Sequence, residues 1–180
     1  MKKMKLLYLF LLFPILGMAQ SEHLKFMGIP LDGSITQFHQ KLEAKGMTYN
    51  EAITKLLNDA VAFDGIFSGE KCNVFVYYNH KTETVYKAKV SIEMSNLDSS
   101  LEVLERFKKM IEDKYGEKVV ESTYKGNRAY YLEVRDDKNY YGDIDLFINY
   151  QEDYNRYSLH LDYRDNENHK LNKQINMDDL

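Results

Sequence analysis

The stretch LDSSLEVLERFKKMIEDKYG, residues 97–116, has a shorter counterpart, LDGSITQFHQKLEAKG, residues 31–46, and the fold class follows from this pair. Both begin with Leu-Asp, continue through serine, place apolar residues every three to four positions, and end on glycine. This pattern predicts two amphipathic helices, over about 34–45 and 100–115, each with one apolar side to cover. We interpret the two stretches as copies of one structural unit.

Each predicted helix also carries sequence signals for its ends. The candidate capping boxes are Ser34 with Gln37 and Ser99 with Glu102, in which each side chain satisfies a free backbone amide. The closing glycine of each stretch suits the left-handed conformation that ends helices. The two segments are therefore expected to be helical in the same way.

After each helix the apolar period changes from about 3.6 to 2, which is typical of strands. The predicted strands are 61–67, 73–78 and 85–94 in the first unit, and 118–124, 129–134, 142–149 and 157–163 in the second. Their short connections favour antiparallel pairing. The sequence predicts an α+β fold of two tandem helix-plus-antiparallel-sheet repeats, with the helices packed on one face of the sheet.

Composition divides the chain into four segments. We assign residues 1–19 to a signal peptide, 20–95 to the first αβ repeat, 96–164 to the second, and 165–180 to a polar tail. The tail has no sustained apolar period, so no regular structure is expected there. Residues 50–59 stay open between a short helix and a strand.

The first 19 residues have the organisation of a secretory signal peptide. Three lysines precede an apolar run over residues 6–16, and small residues follow at Gly17 and Ala19. The run is shorter than the roughly 20 residues that span a bilayer. We therefore expect an exported protein, periplasmic or extracellular. The single cysteine, Cys72, stands far from this run, so neither a lipid anchor nor an internal disulfide is expected, and we predict a buried, inert thiol.

Charge and motifs narrow the functional classes. Removal of residues 1–19 removes three lysines and no acid, which takes the formal charge from −4 to −7. An acidic protein is repelled by nucleic acid and by anionic lipid, so neither is an expected partner. The sequence contains no G-x-S-x-G, H-E-x-x-H, phosphate-loop or G-x-G-x-x-G motif. These observations favour a non-enzymatic protein that has no cofactor.

Tyrosine is the one compositional excess, with 15 residues against no tryptophan. A tyrosine ring offers a large contact area together with a hydroxyl, which suits recognition of proteins or sugars. Strand alternation directs Tyr131 and Phe147 to the face opposite the helices, and it places Tyr140 and Tyr141 at a strand end. We predict that these four residues form a binding surface for a protein or glycan partner.

The same predicted face carries Asp143, Asp145, His160 and Asp162. Carboxylates beside a histidine are the groups that bind metal ions or perform acid/base chemistry. A small metal-dependent or acid/base hydrolase is therefore the alternative function. Opposite charges on an exposed sheet face are also ordinary cross-strand stabilisers, and we assign no metal.

Two stretches carry a resemblance to known proteins. FMGIPLDGSI, residues 26–35, followed by Phe38 and Leu42, resembles the start of a group of uncharacterised secreted proteins of gut Bacteroidetes. FDGIFSG, residues 63–69, which leads into residues 72–77, looks like the first hairpin of the same group. The duplicated plan is similar to the fold of the beta-lactamase inhibitor protein family. The resemblance implies that fold and a protein-binding module, but no binding residue of that family matches here.

Overall fold

The structure is a computed structural model that describes residues 23–177. The predicted signal peptide lies outside these residues. The elements in chain order are β1 (Lys25–Phe26), β2 (Ile29–Pro30), α1 (Ile35–Ala44), β3 (Thr48–Tyr49), α2 (Glu51–Thr54), β4 (Ala60–Phe67), β5 (Glu70–Tyr78), β6 (Val85–Met94), α3 (Leu97–Tyr115), β7 (Val120–Tyr124), β8 (Asn127–Arg135), β9 (Tyr140–Gln151), a 3-10 turn (Glu152–Tyr154), β10 (Arg156–Asp165) and α4 (Asn166–Met177).

Strands β3 to β10 form one sheet in the order β3-β4-β5-β6-β10-β9-β8-β7, and β1 pairs with β2 in a separate short hairpin. Every neighbouring pair is antiparallel. The first half of the chain supplies β3 to β6, the second supplies β7 to β10, and the halves meet where β6 pairs with β10. The predicted α+β class with an antiparallel sheet is confirmed.

Helices α1 and α3 bury their apolar sides in a common core with one face of the sheet. The buried residues are Phe38 and Leu42 on α1, and Leu104, Phe107 and Ile111 on α3. Alternate strand residues complete the core, as period-2 patterning requires. They include Val74, Val76, Ala88, Val90, Ile92, Ile144, Leu146, Ile148, Leu159 and Leu161. Full burial of one such side chain contributes about 1.5–3 kcal/mol, so this layer dominates stability.

Helix α3 begins earlier than predicted, and its cap is a different residue. Asn96 is the N-cap: its side chain accepts a hydrogen bond from Ser99 N at 2.9 Å, and Ser99 Oγ accepts one from Asn96 N at 3.4 Å. Ser99 therefore occupies the third helical position, and its predicted pairing with Glu102 is wrong. The predicted Ser34 cap of α1 is confirmed, since Ser34 Oγ accepts from Gln37 N at 3.4 Å.

Replacing Asn96 with alanine is expected to destabilise the protein by about 1 kcal/mol, because the amide of Ser99 loses its acceptor. Urea denaturation of purified protein measures the loss. The matched control is Asn96→Asp, which keeps the acceptor oxygen and should retain wild-type stability within a few tenths of a kcal/mol. Equal losses in the two variants would contradict a capping role.

The sequence left residues 50–59 undecided between a short helix and a strand. The structure contains both elements, within residues 48–54. Strand β3 pairs with β4, and the short helix α2 follows at once. Asn50 joins them because its side chain accepts a hydrogen bond from Ile53 N at 2.9 Å. A single N-cap residue thus ends one element and begins the next.

The expectation of no regular structure in the polar tail is wrong, because residues 166–177 form helix α4. Polar contacts rather than apolar burial hold this helix. Asp165, which is 1% exposed, accepts from Asn168 N at 2.9 Å, and Asn168 Nδ2 donates to Leu31 O at 2.8 Å. Asn79 Nδ2 donates to Asn172 Oδ1 at 2.8 Å.

Cys72 lies in β5 and is buried, as predicted. Burial raises the pKa of its thiol to about 11, so the reactive thiolate is not populated at neutral pH. Within residues 23–177, no helix is both long enough and apolar enough to cross a bilayer.

Candidate functional site

Two of the predicted binding residues, Tyr131 and Phe147, and the whole predicted metal set lie on the sheet face opposite α1 and α3. Strand register places Tyr131 opposite Asp145, Asp145 opposite Asp162, and Phe147 opposite His160. Strand β6 adds two lysines to the same face, since Lys89 lies opposite Asp162. We call this surface the polar face. Its members are Lys87, Lys89, Tyr124, Tyr131, Asp143, Asp145, Phe147, Ser158, His160, Asp162 and Arg164.

A row of rings crosses the polar face from the sheet edge to its centre. The ring centroids of Tyr124 and Phe147 are 4.3 Å apart, and those of Phe147 and His160 are 5.1 Å apart. Lys89 Nζ lies 5.8 Å from the Phe147 centroid, within the range of a cation–π contact. The row joins β7, β9 and β10. Phe147, a predicted binding residue, is therefore held in a fixed setting by its neighbours.

Two of the predicted tyrosines converge on one carboxylate. Tyr131 Oη donates to Asp143 Oδ1 at 2.5 Å, and Tyr140 Oη donates to the same oxygen. Burial, followed by these bonds to Asp143, raises the pKa of Tyr140 to about 12 and that of Tyr131 further. Both hydroxyls therefore stay protonated at neutral pH, and both rings are pre-oriented.

Tyr141 does not join this group. Its hydroxyl donates to Asp136, in the turn between β8 and β9. A register shift between Val134 and Arg135 precedes that turn, and such an irregularity changes which way the following side chains point. The structure thus brings together Tyr131 and Tyr140 of the predicted surface and leaves Tyr141 in a separate turn contact.

Each acidic residue of the predicted metal set, Asp143, Asp145 and Asp162, has a cationic partner. Arg164 Nη2 lies 2.7 Å from Asp145 Oδ2, and Lys87 Nζ lies 2.7 Å from Asp162 Oδ2. Arg164 also approaches Asp143 at 3.6 Å. Burial raises the pKa of Asp145, and Arg164 opposes that shift. In the described part of the chain, no three or more histidine, cysteine or acidic residues are placed to hold a metal ion.

Ser158 and His160 form a buried pair, with Ser158 Oγ 2.9 Å from His160 Nε2 and exposed fractions of 5% and 6%. Burial, aided by Lys89, lowers the pKa of His160 to about 4, so the imidazole is neutral at pH 7. Among residues 23–177, His160 Nδ1 has no hydrogen-bond partner. A catalytic pair needs a base with a pKa near 7, access to substrate, and an orienting group on Nδ1. The Ser158–His160 pair meets none of these three requirements, so its geometry fits a structural role.

Sequence reasoning missed the cations of the polar face. Lys87 and Arg164 form ion pairs with the carboxylates, and Lys89 lies over the Phe147 ring. The alternation in Tyr86-Lys87-Ala88-Lys89-Val90 is the signal that could have found the two lysines. Which carboxylate each cation meets depends on the pairing of β6 with β10. The sequence of either strand alone does not specify that pairing.

Comparisons of the chain with protein-family models, with curated proteins and with solved structures find no match. The polar face is therefore interpreted from its own residues and geometry.

Proposed function

We propose that this chain is an exported, non-enzymatic binding module whose polar face recognises a protein or glycan partner, with a protein as the better fit. The observation that carries the proposal is the pair of accessible rings, Tyr124 and Phe147, which is held against the buried ring of His160 and lies beside two tyrosines anchored on Asp143. Rings held in place before binding lose little conformational entropy when a partner docks. Aromatic anchors of this kind carry most of the energy in protein interfaces.

The extent of the face supports a protein partner. The row and its flanking lysines cover β7, β8, β9, β10 and β6, and five strands at a spacing of about 4.8 Å span roughly 20 Å. A stable interface takes about 800 Å² from each partner, which a surface of this width can supply. The mixed charges favour one orientation of the partner and exclude others.

The proposal also includes a duplicated architecture and export of the protein. We infer that the two halves are copies of one unit, since each supplies a capped helix and a run of strands that ends at the centre of the sheet. Export rests on the signal-peptide pattern of residues 1–19. An exported module that has no catalytic motif is consistent with a role in recognition.

The direct test is the double variant Tyr131→Ala/Phe147→Ala. It is expected to bind the natural partner, isolated from envelope extracts or found on a glycan array, at least tenfold more weakly, because each removed ring typically contributes 1–2 kcal/mol. Surface plasmon resonance measures the affinities, and thermal unfolding checks that the variant stays folded.

Tyr154→Ala is the matched control, since Tyr154 is 71% exposed and lies in the 3-10 turn outside the polar face. It should bind as the wild type does. Unchanged affinity in the folded double variant would exclude the polar face as the binding surface. If the wild-type protein retains a glycan and no protein, the partner is a glycan.

A further inference from the structure

We propose that a cavity on the helix side of the sheet binds a single-chain amphiphile that carries an anionic head group. The cavity has a volume of about 370 Å³ and lies between α3, the β1–β2 hairpin and the β4–β5 turn. This volume falls within the range of small-molecule sites. The cavity lies on the opposite side of the sheet from the polar face, so the inference is independent of the proposed function.

The floor of the cavity is apolar and preformed. The rings of Phe67 and Phe107 stack at 5.8 Å with an interplanar angle of 26°. Ile111, Leu161 and Tyr163, each at most 5% exposed, complete the floor. A rigid apolar surface of this kind favours an alkyl chain, and no reorganisation of the core is needed to accept one.

The walls can adapt to a chain of variable shape. Met27 and Met110 line the cavity, and Met110 is 42% exposed. Methionine is unbranched and flexible, so it packs against irregular apolar ligands better than a branched residue does. The exposed position of Met110 also provides a route from solvent into the cavity.

The mouth of the cavity is positively charged. Its charged lining residues are Lys45, at the C-cap of α1, and Lys114, in the last turn of α3. Neither lysine forms an ion pair with a carboxylate in the described part of the chain. Burial lowers the pKa of Lys114, a desolvation that an anionic head group would offset.

The combination selects one class of ligand. An apolar floor takes the alkyl chain and excludes sugars and nucleotides, while two lysines at the mouth favour a carboxylate or sulfate head and disfavour a cationic one. Each further methylene that enters the cavity is expected to raise the affinity about fourfold, until the cavity is full.

The test is isothermal titration calorimetry of the exported chain with sodium octanoate, decanoate and dodecanoate, each below its micelle concentration. The expected result is one saturable site that tightens with chain length. Decanol should bind about tenfold more weakly than decanoate, and decyltrimethylammonium should not bind. No saturable heat up to about 1 mM dodecanoate, or equal binding of the cationic amphiphile, would overturn the proposal.

Variants locate the site. Lys45→Met/Lys114→Met should lose about tenfold in affinity for dodecanoate, whereas Lys109→Met, an exposed α3 lysine outside the cavity lining, should lose nothing. Met110→Trp should obstruct the cavity and abolish binding while thermal unfolding stays near that of the wild type. Unchanged binding in folded Met110→Trp would place the ligand elsewhere. Tyr131→Ala/Phe147→Ala should bind dodecanoate normally, so the two proposals can fail separately.

Discussion

Replacing Gly142 with alanine is expected to lower the free energy of unfolding by about 4 kcal/mol, a loss at the extreme of single-residue effects. Gly142 has φ of +151°, a conformation that residues with a side chain rarely adopt. A Cβ there would lie 2.1 Å from Arg164 O and 3.1 Å from Arg164 C. Both are backbone atoms of β10, which pairs with β9 at this point. The clash can be relieved only if the two strands move apart.

Urea denaturation measures the loss, and the midpoint of thermal unfolding should fall by roughly 10 °C. Gly126→Ala is the matched control. Gly126 also has a positive φ, of +80°, but a Cβ there would meet nothing within 4 Å. Its loss should therefore stay near 1 kcal/mol, the cost of the backbone conformation alone. Similar losses in the two variants would mean that β10 yields to the added methyl group.

The second large expected effect comes from protonation of His160, which should lower the free energy of unfolding by about 3 kcal/mol between pH 7 and pH 4. Burial, with a further contribution from Lys89, lowers the pKa of this histidine from 6.5 to about 4, and Asp162 only partly opposes the shift. The unfolded chain therefore binds the proton below pH 6.5, whereas the folded chain does so only near pH 4. The stabilisation that comes from the neutral imidazole of His160 is complete above pH 6.5 and is lost as the pH falls from 6.5 to about 4.

His160→Gln removes the titrating group, so its stability should decline less than that of the wild type between pH 7 and pH 4. Urea denaturation at several pH values gives this difference. Burial raises the pKa of Asp145 and Asp165, which favours the folded state at low pH, but these groups act in both proteins and cancel. His80→Gln, an exposed turn substitution, should keep the wild-type profile. A His160→Gln profile parallel to that of the wild type would contradict this account.

Periodicity alone predicted much of the architecture. The predicted strand over residues 85–94 matches β6, and the alternation of apolar residues correctly assigned Ile144, Leu146 and Ile148 to the core face. The same alternation placed Phe147 and His160 on the opposite face. These predictions succeeded because a strand buried on one face must repeat every two residues.

Contacts between residues that are distant in the chain were not predicted from the sequence. Helix α4 was missed because its anchors, Asn168 to Leu31 O and Asn172 to Asn79, join positions distant in the chain. A local search for apolar period cannot detect a helix held by polar contacts of this kind. For the same reason, the ion pair of Lys87 with Asp162 could not be predicted from the sequence.

Until β10 has been synthesised, β6 is an edge strand. Met94 pairs with Tyr157 and Lys87 with Arg164, and the whole of α3, β7, β8 and β9 lies between these partners in the chain. Closing so long a loop before any of its contacts form is slow. Meanwhile a ten-residue strand with one apolar face presents unpaired backbone groups, which invite pairing with another chain. For a nascent chain, the interval between the emergence of Met94 and that of Arg156 is therefore when aggregation competes most strongly with folding.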